Sequence, residues 1–290
     1  MSPPPPKLGS FECFLISRDR GVWLECPGHI RLPSPGWICY AADMGSIRLL
    51  MLISALLGMG AMAHAEQAIE LPSARPNVTE RIYLHVAEHP VASAILFPGS
   101  SGAVSAVHAN FLIRVADDFA AAGITVAVAD TPSDHAGGMD RAFRASDAQA
   151  TDAAAIVAFL HSRAGVPVWL VGTSNGSISA ANAAVRLGPS QIAGAVLTSS
   201  VWLGGMQATH FEALRVPTLI VHNRNDGCRL SPFDQAALAL ASLHDAPAKQ
   251  LIAVSSTASR SAPCEALSPH GYLGIEQQVV GLIADWIKAH

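Results

Sequence analysis

Charge is scarce in this 290-residue chain: Asp, Glu, Lys and Arg make up 14% of it, and acidic residues outnumber basic ones by 22 to 18. No basic stripe is available to neutralise phosphates, so nucleic acid is not an expected partner. Little charge combined with 50% hydrophobic residues also excludes a disordered chain, because that much apolar surface can offset the entropy of ordering. The sequence shows no internal repeat, no cluster with metal-ligand spacing and no phosphate-binding glycine loop. No metal and no cofactor are therefore expected.

Long apolar runs are missing too. Leu49–Gly60 falls short of the roughly 20 residues that cross a bilayer. Its setting suggests another role: Met44-Gly-Ser-Ile-Arg48 supplies a short basic head, and Ala63-His64-Ala65 places small residues at −3 and −1 of a cleavage site. Residues 44–65 read as a signal peptide cleaved after Ala65, with Ala61-Met62-Ala63 as a second site. Such a signal opens a protein, so Met44 is the expected start. Residues 1–43, with the Pro3–Pro6 run, are then upstream sequence or a disordered extension. The folding unit is 66–290, a single domain, exported to the periplasm or medium and without a membrane anchor after cleavage.

Cysteine is also sparse. Of five, only Cys228 and Cys264 lie beyond residue 65, and an even pair in an exported chain predicts a disulfide. It would close a loop of roughly 37 residues, worth about 3–4 kcal/mol in the chain-entropy model. Two buried thiols are the alternative.

From Glu66 onward, short runs rich in β-branched residues alternate with longer amphipathic stretches, which predicts an α/β fold with a mostly parallel sheet covered by helices on both faces. Strands are expected at Ile82–Val86, Ala94–Phe97, Ile124–Ala129, Val168–Val171, Gly194–Thr198, Thr218–His222 and Gln250–Val254. Val107, Phe111, Leu112, Val115 and Phe119 recur at helical spacing, with Gly123 as terminator. Further helices are expected over Ser146–His161, after Gly176, over Pro232–Leu243 and from Ile275 to the end.

One of these strands runs into Gly172-Thr-Ser174-Asn-Gly176, followed at once by a helix of small residues. This is the strand, turn and helix setting of a G-x-S-x-G nucleophile elbow, where glycines two before and two after the serine let strand and helix approach. Asp226 follows the strand Thr218–His222 beside Gly227, and His270 sits in Ser268-Pro-His270-Gly271-Tyr272 ahead of the last helix. Singly, Asp226 fits a turn and His270 a surface histidine. In the order Ser174, Asp226, His270, on loops at one edge of a parallel sheet, they fit a catalytic triad. Asp130 is the rival acid, disfavoured because it precedes the serine. His222, His108, His135 and Asp134 are secondary cleft candidates.

With these residues in place, the chain resembles an α/β-hydrolase, and more narrowly the small exported bacterial members. The resemblance implies that Ser174 attacks an acyl carbonyl, that His270 relays the proton and that Asp226 sets the imidazole tautomer. It implies an oxyanion hole from the N–H of Asn175 and one N–H of the Phe97–Gly102 loop, with Ser100 the best match. Pro98 stands where many relatives carry histidine. The disulfide would tether the loops of Asp226 and His270. Ser199–Arg215 is too short for a cap domain, so no large cap is expected, and Trp202 and Met206, with Leu203 and Phe211, are expected to form an apolar wall for substrate. A small-molecule acyl substrate, an uncharged carboxylic ester, is the expectation. Amides and thioesters share the chemistry, and a non-catalytic binding protein on the same fold is the alternative of another class.

Overall fold

The computed structural model describes residues 14–18, 21–25 and 67–290. The expected signal at 44–65 lies outside them. In the N-terminal unit, β1 (Phe14–Arg18) and β2 (Gly21–Glu25) pair antiparallel with Ile16 opposite Trp23, a hairpin in a stretch where no element is expected.

The second unit is built on one eight-stranded sheet. Its strands are β3 (Gln67–Pro72), β4 (Thr79–His85), β5 (Ala92–Phe97), β6 (Ile124–Ala129), β7 (Val168–Thr173), β8 (Gly194–Thr198), β9 (Thr218–Asn223) and β10 (Lys249–Val254). The spatial order is β10-β9-β8-β7-β5-β6-β4-β3; β4 runs antiparallel to both its neighbours, β3 and β6, and the other pairs are parallel. Every residue of β5 through β9 is buried, as expected of strands covered on both faces. Within β5 the alternation is visible: Ile95 and Phe97 enter one core, Ala94 and Leu96 the other.

The helices divide between those faces. On the first lie α4 (Asp147–Ala164), α5 (Gly176–Leu187) and α6 (Phe233–Ser242), which contribute Ile156, Leu160, Ala180, Ala184 and Ala239. On the second lie α1 (Phe111–Arg114), α2 (Ala116–Ala121) and α7 (Glu276–Ala289), with Phe111, Leu112, Phe119, Ile283 and Trp286. The short α3 (Arg141–Arg144) precedes α4. Ser146 caps α4 by accepting from the Gln149 N–H, and Gly165, at φ +63°, ends it.

One expected helix is divided. The apolar spacing of Val107–Phe119 predicts a single helix, but the chain breaks at Val115 (φ −111°, ψ 11°) into α1 and α2. Both pieces bury the same face, so the apolar period runs through the break and conceals it. Between β8 and β9 there are only two 3-10 turns, Met206–Thr209 and Phe211–Ala213, and no cap domain. Among the described residues no helix is long and apolar enough to cross a membrane.

Candidate active site

β5 and β7 are neighbours from which the chain departs in opposite directions along the sheet, and their C-terminal ends open side by side. A parallel sheet leaves its ligand crevice at such a point. The loop after β5 carries Ser100 and the turn after β7 carries Ser174.

The turn at Ser174 is tight because its glycines admit no alternative. A Cβ on Gly172 would lie 2.3 Å from the Gly176 carbonyl oxygen, and one on Gly176 would lie 2.0 Å from the Phe97 carbonyl oxygen. Ser174 itself has φ +52°, a left-handed conformation costly for a non-glycine residue and held here by its surroundings. Its N–H donates to Thr198 O (3.1 Å), and its carbonyl accepts from the Ser177 N–H (3.0 Å) and hydroxyl (2.6 Å). The β5 loop packs directly on it: a Cβ on Gly99 would fall 2.8 Å from Ser174 Cβ.

On the neighbouring loops, His270 Nδ1 donates to Asp226 Oδ2 at 2.7 Å, with the Asp226 side chain 0% exposed. The other carboxylate oxygen, Oδ1, accepts from the Cys228 N–H at 2.9 Å. His270 Nε2 is buried and has no partner among the described residues. Asn223, at the end of β9, donates to Pro269 O (3.0 Å) and Ser256 O (3.3 Å), which holds the histidine loop against the strand. The Cys228–Cys264 disulfide is present and ties the loop after Asp226 to the loop before His270.

A cavity of about 310 Å³ joins the two sides. Ser100, Thr173, Ser174, His270 and Cys264 line it together with Val107, Phe111 and Leu267. Ser174 and His270 thus share one cavity without a hydrogen bond between them. The N–H groups of Ser100 and Asn175 bond to no other group among the described residues. His108 also lines the cavity.

Other expected residues go elsewhere. Trp202 and Met206 do not line this cavity: at 3% and 0% exposed they belong to the core beneath the sheet, where Trp202 meets the Phe211 ring at 5.8 Å. Their segment is short and packs onto α5 through its two 3-10 turns, with Trp202 and Met206 turned into the core and Leu203 left exposed. Asp130 accepts from the Val104 and Thr131 N–H groups and contacts no histidine. Asp134 pairs with Arg75 and His135 stacks on Phe143. His222 is fully buried beneath Asp226, 3.5 Å from Oδ2, and donates from Nε2 to Ser231 O; burial pushes its pKa down, so it stays neutral.

Three supporting residues carry no local signal in the sequence. Tyr272 is buried at φ +59°, donates to Val221 O (2.8 Å) and accepts from the Ser199 N–H (2.9 Å), joining β9, β8 and the histidine loop; burial pushes its phenol far up. Arg114 braces both cavity walls by donating to the carbonyls of Ala109, Ala266 and Gly271, and it pairs with Glu276 at 2.7 Å. Arg144 lies buried beneath the Ser100 loop.

No protein-family model matches the sequence, and no curated protein sequence matches it. Solved structures do. An α/β serine hydrolase without lid from Xanthomonas campestris superposes with a TM-score of 0.57 at 16% identity, over 77% of this chain and 94% of that one. Dienelactone hydrolase from Anabaena variabilis gives 0.58 at 16%, over 78% and 98%, and the Pyrococcus furiosus esterase Pf2001 gives 0.57 at 13%, over 78% and 93%. A likeness at these identities is one of architecture, and by sheet order, strand direction and superposition this chain has the α/β-hydrolase fold.

Proposed function

We propose that the protein is an exported serine hydrolase that cleaves uncharged carboxylic esters, with Ser174 as nucleophile, His270 as general base and acid, and Asp226 as the group that orients the imidazole. The observation that carries this reading is the Asp226–His270 bond at 2.7 Å, which leaves Nε2 without a partner among the described residues, on a cavity that Ser174 also lines. Asp226 accepts at both oxygens, so the imidazole proton stays on Nδ1 and Nε2 is left as an acceptor. No hydrogen bond joins Ser174 to His270 in the structure, and in this reading the contact closes when substrate binds.

In the first half-reaction Ser174 Oγ bonds to the ester carbonyl carbon while its proton passes to His270 Nε2. The tetrahedral oxyanion is received by the N–H groups of Asn175 and Ser100, each typically worth about 2.7–4 kcal/mol in such a hole. Collapse breaks the bond to the alcohol oxygen, which takes the proton from His270. Water, deprotonated by the same nitrogen, then releases the acid and restores Ser174. Val107, Phe111 and Leu267 give the cavity an apolar wall that suits an acyl or alkyl group of modest size.

A fluorophosphonate probe tests the reading. Labelling at Ser174 that is lost in Ser174→Ala and His270→Ala supports it, whereas folded protein that takes no label overturns it. Export rests on residues 44–65 and agrees with a disulfide, which persists in an oxidising compartment. Secreted protein that begins at Glu66 is the expected finding.

A further inference from the structure

We propose that Arg144 is a positioning residue of the oxyanion hole, fixing Ser100 from inside the protein and placing a buried positive charge behind the oxygen that becomes negative. The inference rests on the serine-hydrolase reading above.

Arg144 is 0% exposed, and no carboxylate lies within salt-bridge distance of it among the described residues. Nη1 donates to Ser179 Oγ on α5 (3.0 Å), Nη2 donates to Ser100 O (3.2 Å), and Nε has no partner among the described residues. Burial pushes the guanidinium down to about 10, so it remains charged at neutral pH. An uncompensated buried cation costs several kcal/mol in folding, and a neutral side chain of similar length would avoid that cost. The surrounding chain is shaped to keep it. Gly102, at φ +85°, is bare where a Cβ would strike Nη2 at 2.6 Å.

The bond to Ser100 O acts on the residue's own N–H. Ser100 has φ +53°, and holding its carbonyl fixes the peptide that follows, so the left-handed conformation and with it the direction of the N–H persist. Asn175 Nδ2 donates to the same carbonyl (3.1 Å), and Asn175 Oδ1 accepts from Arg141 Nε (3.0 Å), one turn before Arg144. The two residues of the proposed oxyanion hole are thus bonded to each other, and α3 holds each of them through an arginine. A fixed charge in a low-dielectric interior favours the oxyanion over the neutral ester, and therefore the transition state over the bound substrate.

The test is made on the whole chain with a short acyl ester. Fluorophosphonate labelling of the wild type comes first, because its absence would overturn the hydrolase reading itself. In labelling protein, Arg144→Met is expected to lower kcat about 10- to 100-fold with KM little changed. Affinity for an alkyl boronic acid, which mimics the oxyanion once bound to serine, should fall in parallel. The melting temperature should hold or rise, since the buried charge is gone. Arg144→Lys keeps the charge but not the two-branched hold, and should recover part of kcat. If Arg144→Met does not fold, Ser179→Ala loosens the guanidinium without removing it and should lower kcat and boronate affinity several-fold. Unchanged kcat and boronate affinity in the variant that folds, or a loss that merely tracks a lower melting temperature, would overturn the Arg144 proposal and leave the hydrolase reading standing.

Discussion

The two sides of the candidate site are held by different means. Around Ser174 the chain is fixed by backbone against backbone: Gly172, Gly176 and Gly99 stand where a single methyl group would overlap a neighbour. Around Asp226 and His270 the loops are longer and are held by cross-links, namely the Cys228–Cys264 disulfide, the Asn223 bonds to Pro269 O and Ser256 O, and the Arg114 bonds to cavity-wall carbonyls. The Ser174 side is therefore intolerant of any added atom, while the Asp226 and His270 side combines one such close approach, a Cβ on Gly271 lying 1.9 Å from the Ala266 carbonyl oxygen, with ties whose loss would loosen it.

The largest expected effect falls on both sides alike. Ser174→Ala and His270→Ala should each lower kcat by about a millionfold and Asp226→Asn by about ten-thousandfold, read from ester hydrolysis by folded protein. Stability separates the Ser174 turn from the Asp226 loop. Gly176→Ala places a Cβ 2.0 Å from the Phe97 carbonyl and should destabilise by more than about 3 kcal/mol, whereas Gly227→Ala beside Asp226 meets its first neighbour at 3.3 Å and should change the denaturation midpoint little. Equal losses in the two variants would erase the distinction.

Removing the disulfide with Cys228→Ser and Cys264→Ser is expected to cost about 3–4 kcal/mol in chemical denaturation and to lower kcat. Full activity and stability in that double variant would show that the remaining bonds suffice to hold the acid–base side. Reductant should likewise affect the wild type and leave the double variant unchanged.

A pH-dependent effect lies away from both sides. Glu80 is buried, and burial with the nearby Asp152 carboxylate pushes it up to about 9 from 4.5. The folded protein keeps a proton there that the unfolded chain releases, so the contribution is present below pH 4.5 and is lost as pH rises towards 9. Glu80→Gln cannot ionise, and its melting temperature should gain on the wild type steadily across that window. A constant difference between the two proteins would refute the assignment. The smallest expected effect is on KM: Leu267→Ala, on the cavity wall, should raise it a few-fold, while Trp202→Phe, in the core, should not.

Much of the sheet was legible because β5 to β9 are buried on both faces and read as apolar runs. β3 was not, since as an exposed edge strand it has only partial burial at alternate positions and little apolar signal. The break at Val115 escaped because a helix interrupted in register keeps its apolar period. Trp202 and Met206 show the converse error, where large apolar side chains near the site in sequence prove to belong to the core. In the site, Ser174, Asp226 and His270 could be found from local pattern and chain order. Arg114, Arg144 and Tyr272 could not, because each acts on carbonyls distant in sequence.

The sequence by itself determined the alternating strand and helix plan, the glycine-flanked serine, the order of Ser174, Asp226 and His270, and the pair Cys228 and Cys264. These are local or composition-level properties, set by steric demand at a turn and by which residues water disfavours. Only the tertiary structure decided which apolar residues face the cavity, that His270 meets Asp226 rather than Asp130, and that a charged Arg144 lies under Ser100 with no counter-ion among the described residues. Those depend on how separate segments stack across the sheet, where the free energy comes from contacts between residues that no short window of sequence contains.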